Sequence, residues 1–268
     1  MERKTNIIAT IGPATNKKEI LLQILPLIDM VRLNFSWGTH EEMSEIISLV
    51  REVSEKIGKK ILIIQDLSGP RTQEKDGHHF TDGATEVLTE KDLNDLVFGV
   101  SKNVDYVAMS YVGKVDDIKD LRNHMTILGA NIPVIAKIER KIAVENIETI
   151  IDESDAIMIA RGDLGLAFPI EEIPFLERRI LSACNKKNKY VIVATEMLLS
   201  MVKKDRPTRA EVTDVAFAVT GGASAVMLSE ETTEGDYPVE TVKILDRIIR
   251  NAEAHKVLFW LESSEVEK

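Results

Sequence analysis

The sequence predicts an α/β protein, a single (β/α)8 barrel of the TIM type, and three observations support this fold class. Eight short runs rich in Ile and Val alternate with amphipathic stretches along the 268 residues. The runs stay apolar until their C-terminal ends, as parallel strands that are buried on both faces do. Eight β-then-α units in one domain-sized chain favour a closed barrel over an open doubly wound sheet, which is the alternative.

The predicted elements follow one another in a regular order. Strands are expected at residues 6–12, 30–36, 60–67, 105–112, 133–139, 156–163, 190–197 and 224–231. Helical periodicity occupies residues 41–57, 115–128, 141–151, 172–187, 209–220 and 238–252. Thr208 with Glu211 three residues later is typical of a capping box. We expect one barrel domain over residues 1–268, interrupted by a polar connection at 68–87 and ending in a tail at 254–268.

Composition excludes several classes of partner and location. The formal net charge of -10 argues against a nucleic-acid backbone or an anionic membrane as a partner. No apolar run approaches the roughly 18 residues of a membrane span, and the N-terminus lacks the apolar region of a signal peptide. Cys184 is the single cysteine, so an internal disulfide is impossible and a reducing cytoplasm is expected. Its place in an amphipathic helix predicts a buried, inert thiol.

Polar side chains are concentrated where the predicted strands end. In barrels of this kind the working residues lie at the C-terminal ends of the strands. The residues at these ends are Arg32, Asn34, Ser36, Asp66, Lys137, Glu139, Arg161, Asp163, Thr195, Glu196, Ser229 and Glu230. We therefore expect one mouth of the barrel to carry a polar site.

Two of these residues, Glu139 and Asp163, suit a hard divalent cation. Two carboxylates leave octahedral positions for water and substrate oxygens, which is typical of Mg²⁺ and Mn²⁺. Such an ion polarises a carbonyl group and stabilises an enolate. The spacing alone fits two surface carboxylates equally well, and this alternative stays open.

Lys137 precedes Glu139 by two residues, so both side chains are expected on the same side of one strand. A lysine within an apolar strand is costly unless it is paired. It either pairs with a carboxylate or stabilises a phosphoryl group during transfer. In the next predicted strand end, residues 160–169, Gly162 allows close approach of a ligand, and a helical turn there would direct free N–H groups at an anion.

Nine segments of the chain resemble the pyruvate kinase family, in the same order along the sequence. They are ATIGPAT (9–15), VRLNFSWG (31–38), DLSGPR (66–71), LTEKDLNDLVFG (88–99), IAKIE (135–139), ARGDLG (160–165), VATEML (193–198), RPTRAEVTDVA (206–216) and VMLSEETTEGDYPVE (226–240). The resemblance covers about residues 4–253. Each motif alone is weak, whereas the collinear set is specific.

The resemblance implies a barrel of the phosphoenolpyruvate/pyruvate-binding type and a glycolytic transferase that passes a phosphoryl group from phosphoenolpyruvate to ADP. It implies catalytic roles for Lys137, Arg32 and Thr195, with Lys137 and Arg32 at the phosphoryl group and Thr195 near the carbon that is protonated. It implies Mg²⁺ or Mn²⁺ on Glu139 and Asp163, and substrate contacts at Gly162, Asp163 and Thr195. Asn34, Ser36, Asp66, Leu67 and Arg71 would form the monovalent-cation pocket or its replacement.

Several departures from the family pattern bear on activity. A short connection at residues 72–87 stands where the family carries a lid domain, and the sequence ends soon after the eighth helix, before the family's C-terminal regulatory domain. Gln73 replaces an arginine that is usual in the family. Leu67 and Arg71 resemble the potassium-independent branch, in which a tethered cation replaces K⁺. We therefore expect reduced activity and no requirement for K⁺.

Three functional hypotheses follow from these observations. The first is a minimal pyruvate kinase that uses ADP and ATP, and the second is a lidless, metal-dependent enolate enzyme acting on pyruvate or oxaloacetate. The third is a non-catalytic or engineered barrel. The segment 206–216 resembles an interface region of the family, so we also expect a homo-oligomer. The apolar run 257–261 is expected to cover barrel surface or to join a subunit interface.

Overall fold

A computed structural model of the chain describes residues 3–74, 77–80 and 86–261, with side chains described for 3–71 and 86–255. Eight parallel strands form a closed barrel in the order β1-β10-β9-β8-β7-β6-β3-β2. These strands are β1 (Asn6–Thr10), β2 (Met30–Asn34), β3 (Leu62–Asp66), β6 (Tyr106–Met109), β7 (Val134–Ile138), β8 (Ala156–Ala160), β9 (Tyr190–Ala194) and β10 (Ala225–Leu228). The predicted (β/α)8 fold is therefore confirmed.

Helices surround the barrel and follow its strands. They are α1 (Lys18–Ile24), α2 (His40–Ile57), α3 (Glu90–Ser101), α4 (Val115–Ile127), α5 (Lys141–Glu145), α6 (Ile147–Glu153), α7 (Arg161–Ala167), α8 (Ile173–Lys186), α9 (Arg209–Thr220), α10 (Glu230–Thr233) and α11 (Pro238–Leu261). Short 3₁₀ turns cover Leu25–Leu27, Ile170–Glu172 and Leu199–Val202. The predicted capping box of Thr208 and Glu211 is present at the start of α9, and it satisfies backbone N–H groups that a helix start leaves open.

The period-two alternation of the strands separates two apolar layers. One set of strand side chains packs outward against the helices and includes Ile7, Val31 and Ile63. The other set fills the barrel interior and includes Ile8, Met30 and Ile64. Because both faces are covered, the strands carry few polar residues before their C-terminal ends.

Some elements differ from the sequence-based expectation. The polar connection contains an antiparallel hairpin, β4 (Arg71–Glu74) paired with β5 (Gly77–Phe80). The final helix α11 continues to Leu261, so the first part of the expected tail is helical. The side chains of residues 257–261, for which we predicted a covering role, lie outside the described part of the chain, as do residues 262–268.

Two expectations about bulk properties can be compared with the fold. Among residues 3–74, 77–80 and 86–261, no helix combines the length and the apolar character needed to cross a membrane. Cys184 is buried on α8, as predicted. Burial raises the pKa of its thiol to about 12, so the reactive thiolate is suppressed.

Candidate active site

The interior positions of the strands change from apolar to polar at the C-terminal mouth of the barrel. Ile8 is followed two residues later by Thr10, Met30 by Arg32, and Ile64 by Asp66. Because alternate residues of a strand point to the same side, these polar side chains lie on top of the apolar interior layer. The barrel closure then brings together groups that are far apart in the sequence.

Asp66 is the acceptor at the centre of this polar layer. Its Oδ2 lies 2.6 Å from Nε of Arg32, and its Oδ1 lies 3.1 Å from Nζ of Lys137. Burial opposes the charge of Asp66, but the two cations outweigh it and hold the pKa of the carboxyl below its ordinary value. Asp66 is therefore an anion that orients Arg32 and Lys137 in the same site.

Lys137 makes two further contacts. Its Nζ donates to Oγ of Ser110 at 2.7 Å and lies 3.0 Å from Oε1 of Glu139. Burial opposes its charge, but Asp66 and Glu139 raise the pKa of the ammonium above its ordinary value. The carboxylate pairing that the sequence left open is thus present, and it keeps a permanent cation at the mouth.

Glu139 and Asp163, the two predicted metal ligands, lie near enough for the charge of Asp163 to act on Glu139. Burial raises the pKa of Glu139 to about 7; Lys137 opposes this shift and the neighbouring Asp163 adds to it. Oε2 of Glu139 accepts the backbone N–H of Tyr111 at 2.6 Å. A divalent cation would relieve the repulsion between these carboxylates, so their chemistry fits Mg²⁺ or Mn²⁺. No group of three or more acidic, His or Cys residues that could hold a metal ion occurs among the described residues.

Thr195 and Gly162 contact each other across the ends of β8 and β9. The backbone N–H of Gly162 donates to Oγ1 of Thr195 at 2.8 Å, and that hydroxyl donates to the carbonyl of Ala194 at 2.6 Å. We expected the Gly162 N–H to bind the substrate carboxylate. In this structure it is bound to the Thr195 hydroxyl, with which a substrate carboxylate would therefore compete. Asp163 is half-buried in the first turn of α7.

The backbone beyond β9 is held in an unusual conformation. Thr195 and Glu196 have φ values of 72° and 54°, which cost free energy for side chains with a Cβ. Arg161 supports this turn by donating to the carbonyl of Thr195 at 2.7 Å. Asp214 on α9 and Glu177 on α8 anchor the Arg161 guanidinium at 2.7 and 3.2 Å. Arg161 is therefore a structural support for Thr195.

The residues expected to form the monovalent-cation pocket lie beside this cluster. Oδ1 of Asn34 accepts the backbone N–H of Ser36 at 3.1 Å, and Leu67 is buried. Arg71 is half-buried and forms a hydrogen bond with the hydroxyl of Tyr111. Its side chain therefore lies over the site rather than in the solvent.

A cavity of about 890 Å³ opens beside Arg32 at the same mouth. Thr10, Asn34 and the exposed Trp37 also line it, and so do residues at the end of β10. Four exposed glutamates form part of its walls: Glu42, Glu45, Glu230 and Glu234. Among its described lining residues, Arg32 is the single basic one. The cavity is large enough for a nucleotide-sized ligand, but its rim is acidic.

Sequence reasoning missed Ser110, Tyr111 and Thr10 as members of the site. Ser110 bonds Lys137, Tyr111 bonds Glu139, and Thr10 accepts from Arg32 at 3.2 Å. A usable signal was present, since Thr10 and Ser110 are polar residues near the ends of two predicted strands. Tyr111 gave no such signal, because an aromatic residue after an apolar strand is usually core.

The chain is similar to known proteins over most of its length. The family model described as "Pyruvate kinase, barrel domain" matches residues 2–87 and 80–242. Pyruvate kinase 2 of Synechocystis is 32% identical over 342 aligned positions, which cover 96% of this chain and 58% of that protein. Pyruvate kinase of Dictyostelium discoideum is 34% identical, with 93% and 66% covered, and that of Bacillus licheniformis is 34% identical, with 98% and 60% covered.

The chain spans about three fifths of the length of these relatives. The alignment with the Synechocystis protein is longer than the 268 residues of the chain, so the relative carries segments that this chain does not. The two matched stretches of the family model overlap at residues 80–87, starting at the last residue of the β4–β5 hairpin. Together the barrel, the order of its motifs and these matches establish that the chain belongs to the pyruvate kinase family and contains its barrel domain.

Proposed function

We propose that this barrel transfers a phosphoryl group from phosphoenolpyruvate to ADP, giving pyruvate and ATP, with a divalent metal and at a reduced rate. The observation that carries the proposal is the pair of cations joined by one buried carboxylate. Arg32 and Lys137 both contact Asp66, and Lys137 also contacts Glu139. Two fixed positive charges beside two candidate metal ligands suit a phosphoryl group whose charge is spread over its oxygens.

Each residue has a role that its surroundings support. Glu139 and Asp163 would hold Mg²⁺ or Mn²⁺, which supplies Lewis-acid stabilisation of the enolate. Lys137 and Arg32 neutralise the phosphoryl group, and Asp66 keeps both of them oriented. The Thr195 hydroxyl, held between Gly162 and Ala194, would help to deliver a proton to the enolate carbon.

Arg71 supports a K⁺-independent version of this site. Its guanidinium is permanently charged and is held by Tyr111 beside the metal-ligand candidates. A tethered cation supplies positive potential without an ion-binding equilibrium. Asn34, Ser36 and Asp66 would otherwise surround a monovalent ion, and Leu67 offers no ligand oxygen from its side chain.

The reduced rate follows from the nucleotide side of the site. The 72–87 connection occupies the place of the lid domain, so water is not excluded from the mouth and the nucleotide loses contacts. The acidic rim of the cavity, formed by Glu42, Glu45, Glu230 and Glu234, repels the phosphates of ADP. This rim also favours the second candidate function, a metal-dependent enolate reaction on pyruvate or oxaloacetate that needs no nucleotide.

One set of assays distinguishes these functions. Pyruvate formation from phosphoenolpyruvate, ADP and Mg²⁺ is measured beside decarboxylation of oxaloacetate. Phosphoryl transfer that is lost in Lys137→Met, but kept in the exposed control Lys119→Met, supports the kinase proposal. Decarboxylation without transfer supports the enolate enzyme, and the absence of both reactions in the wild type contradicts each of them.

We also propose that the chain forms a homo-oligomer through the outer face of α8 and α9. Phe175 and Ile170 are each 76% exposed and Leu166 is 70% exposed, near the start of α8. Arg178, one helical turn after Phe175, lies over the ring of Phe217 on α9, with 5.9 Å between guanidinium and ring centroid. The two helices thus present one mixed apolar and cationic surface, which suits a second copy of the chain.

Sedimentation velocity tests this interface. The variant Phe175→Glu is expected to shift the protein toward the monomer. Ile127→Glu is the matched control, because Ile127 is 79% exposed on α4, outside this face. A wild-type monomer, or equal effects of both substitutions, would contradict the proposal.

A further inference from the structure

We propose that Tyr111 is a further positioning residue of this site, whose hydroxyl holds the Arg71 guanidinium toward the phosphoryl end of the substrate. The inference rests on the proposed function and adds to it a residue that no motif pointed to. It is carried by the backbone of Tyr111, by the packing of its ring, by the hydrogen bond of its hydroxyl, and by an unsatisfied nitrogen of Arg71.

The backbone of Tyr111 has a strained conformation at the mouth of the barrel. Tyr111 follows β6 with a φ of 57°, a region that bulky side chains rarely adopt. The conformation directs its N–H to Oε2 of Glu139 at 2.6 Å. Such strain persists only where surrounding contacts hold it, and strained positions cluster at functional sites.

The ring of Tyr111 is held against the loop that carries Arg71. A Cβ placed on Gly69 would lie 2.7 Å from Cδ2 of Tyr111 and 3.2 Å from Cβ of Ser110. Gly69 also has a φ of +67°. Both this positive φ and the close contact with the Tyr111 ring require glycine at this position. The ring therefore packs directly on the backbone two residues before Arg71, which sets the distance between the phenol and the guanidinium.

The hydroxyl of Tyr111 forms a hydrogen bond with the Arg71 side chain. A guanidinium has only donors, so Arg71 donates to the phenol oxygen. The phenol oxygen is thus a hydrogen-bond partner for Arg71.

Arg71 has one nitrogen that the described residues leave unsatisfied. Its Nη2 is buried and has no hydrogen-bond partner among the described residues. Leaving a buried charged donor without an acceptor is costly, and a phosphoryl oxygen is the acceptor that a planar guanidinium accommodates best. With one face fixed by Tyr111, Arg71 loses less freedom when it binds such an anion.

Two ligands separate this role from a general structural one. Phosphoenolpyruvate carries a phosphoryl group, whereas oxalate resembles the enolate end and carries none. Titration calorimetry with each ligand in the presence of Mn²⁺ is compared for the wild type and Tyr111→Phe, which keeps the ring on Gly69. We expect phosphoenolpyruvate to bind about tenfold more weakly to the variant, as for the loss of one charge-assisted hydrogen bond. Oxalate binding should be unchanged.

A second variant tests whether Tyr111 acts through Arg71. In an Arg71→Met background, Tyr111→Phe is expected to cause no further loss of phosphoenolpyruvate affinity. Equal weakening of both ligands, an undiminished effect in that background, or no effect of Tyr111→Phe on phosphoenolpyruvate would overturn the inference. A wild-type protein that binds oxalate but not phosphoenolpyruvate would instead contradict the proposed function itself.

Discussion

The Lys137 ammonium lies 3.0 Å from Oε1 of Glu139, two residues further along the chain. This pair combines a candidate phosphoryl-binding cation with a candidate metal ligand in one buried contact. Because burial and Asp163 raise the pKa of Glu139 to about 7 despite Lys137, this carboxyl carries a proton in part of the metal-free protein near neutrality. Metal binding and proton release are therefore coupled.

The first prediction is that Mn²⁺ affinity depends on pH through Glu139. The raised pKa means that the folded, metal-free protein holds the proton below about pH 7, where Mn²⁺ must displace it. Affinity should rise about tenfold per pH unit below that value and level off above it. Calorimetric titrations across this range measure the slope, and Glu139→Gln, which removes the titrating ligand, should abolish measurable Mn²⁺ binding at every pH. A flat profile in the wild type would contradict the coupling.

The second prediction concerns enolisation of pyruvate. If Glu139 and Asp163 hold the metal, Glu139→Gln should abolish the Mn²⁺-dependent exchange of pyruvate methyl protons with solvent, because the enolate loses its stabilising cation. Proton NMR in D₂O follows the exchange. Glu45→Gln, which removes a carboxylate from the cavity wall, is the matched control and should retain it. Unchanged exchange in Glu139→Gln would rule out this metal assignment.

The third prediction is that Gln73→Arg raises kinase activity or ADP affinity. Position 73 lies in β4 of the hairpin, where its backbone pairs with His78. A cation here would restore a phosphate contact worth on the order of 2–4 kcal/mol if it acts in the transition state. The same substitution at the exposed Gln23 is the control for added charge. No change in either quantity would mean that position 73 does not face the nucleotide.

The fourth prediction is that activity does not require K⁺. The Arg71 guanidinium is covalently tethered to the chain, and its hydrogen bond with Tyr111 holds it over the site. It therefore supplies the positive potential that a mobile ion would bring. Activity is measured in potassium-free tetramethylammonium buffer and again after KCl is added at matched ionic strength. A many-fold rise on adding K⁺ would show that the arginine does not replace the ion.

The fifth prediction concerns the contact between β3 and α3. A Cβ on Gly99 would lie only 1.9 Å from Oε1 of the fully buried Gln65. Gly99→Ala should therefore lower the free energy of unfolding by about 1–3 kcal/mol through overpacking. Gly165→Ala is the control, because a Cβ there meets no atom within 4 Å. Equal midpoints in urea denaturation for wild type and Gly99→Ala would show that this contact relaxes freely.

The sequence alone was sufficient for the barrel and for part of its site. Strands buried on both faces must be apolar, so their number and order were readable, and the capping pair Thr208 and Glu211 marked a helix start by local chemistry. The common side of Lys137 and Glu139 was also predictable, because it depends only on the two-residue period of a strand. These features depend on residues that are close together in the sequence, so the sequence alone predicts them.

Only the tertiary structure determined which groups of the site contact one another. Arg32, Asp66 and Lys137 meet because β2, β3, β6 and β7 lie side by side in the barrel wall, and no sequence period records which strands become neighbours. The hydrogen bond between Gly162 and Thr195 and the left-handed backbone of Tyr111 likewise depend on contacts between separate strand ends. These contacts are determined by packing and by buried charges that must be satisfied in three dimensions. Both arise only when the strands come together in the barrel.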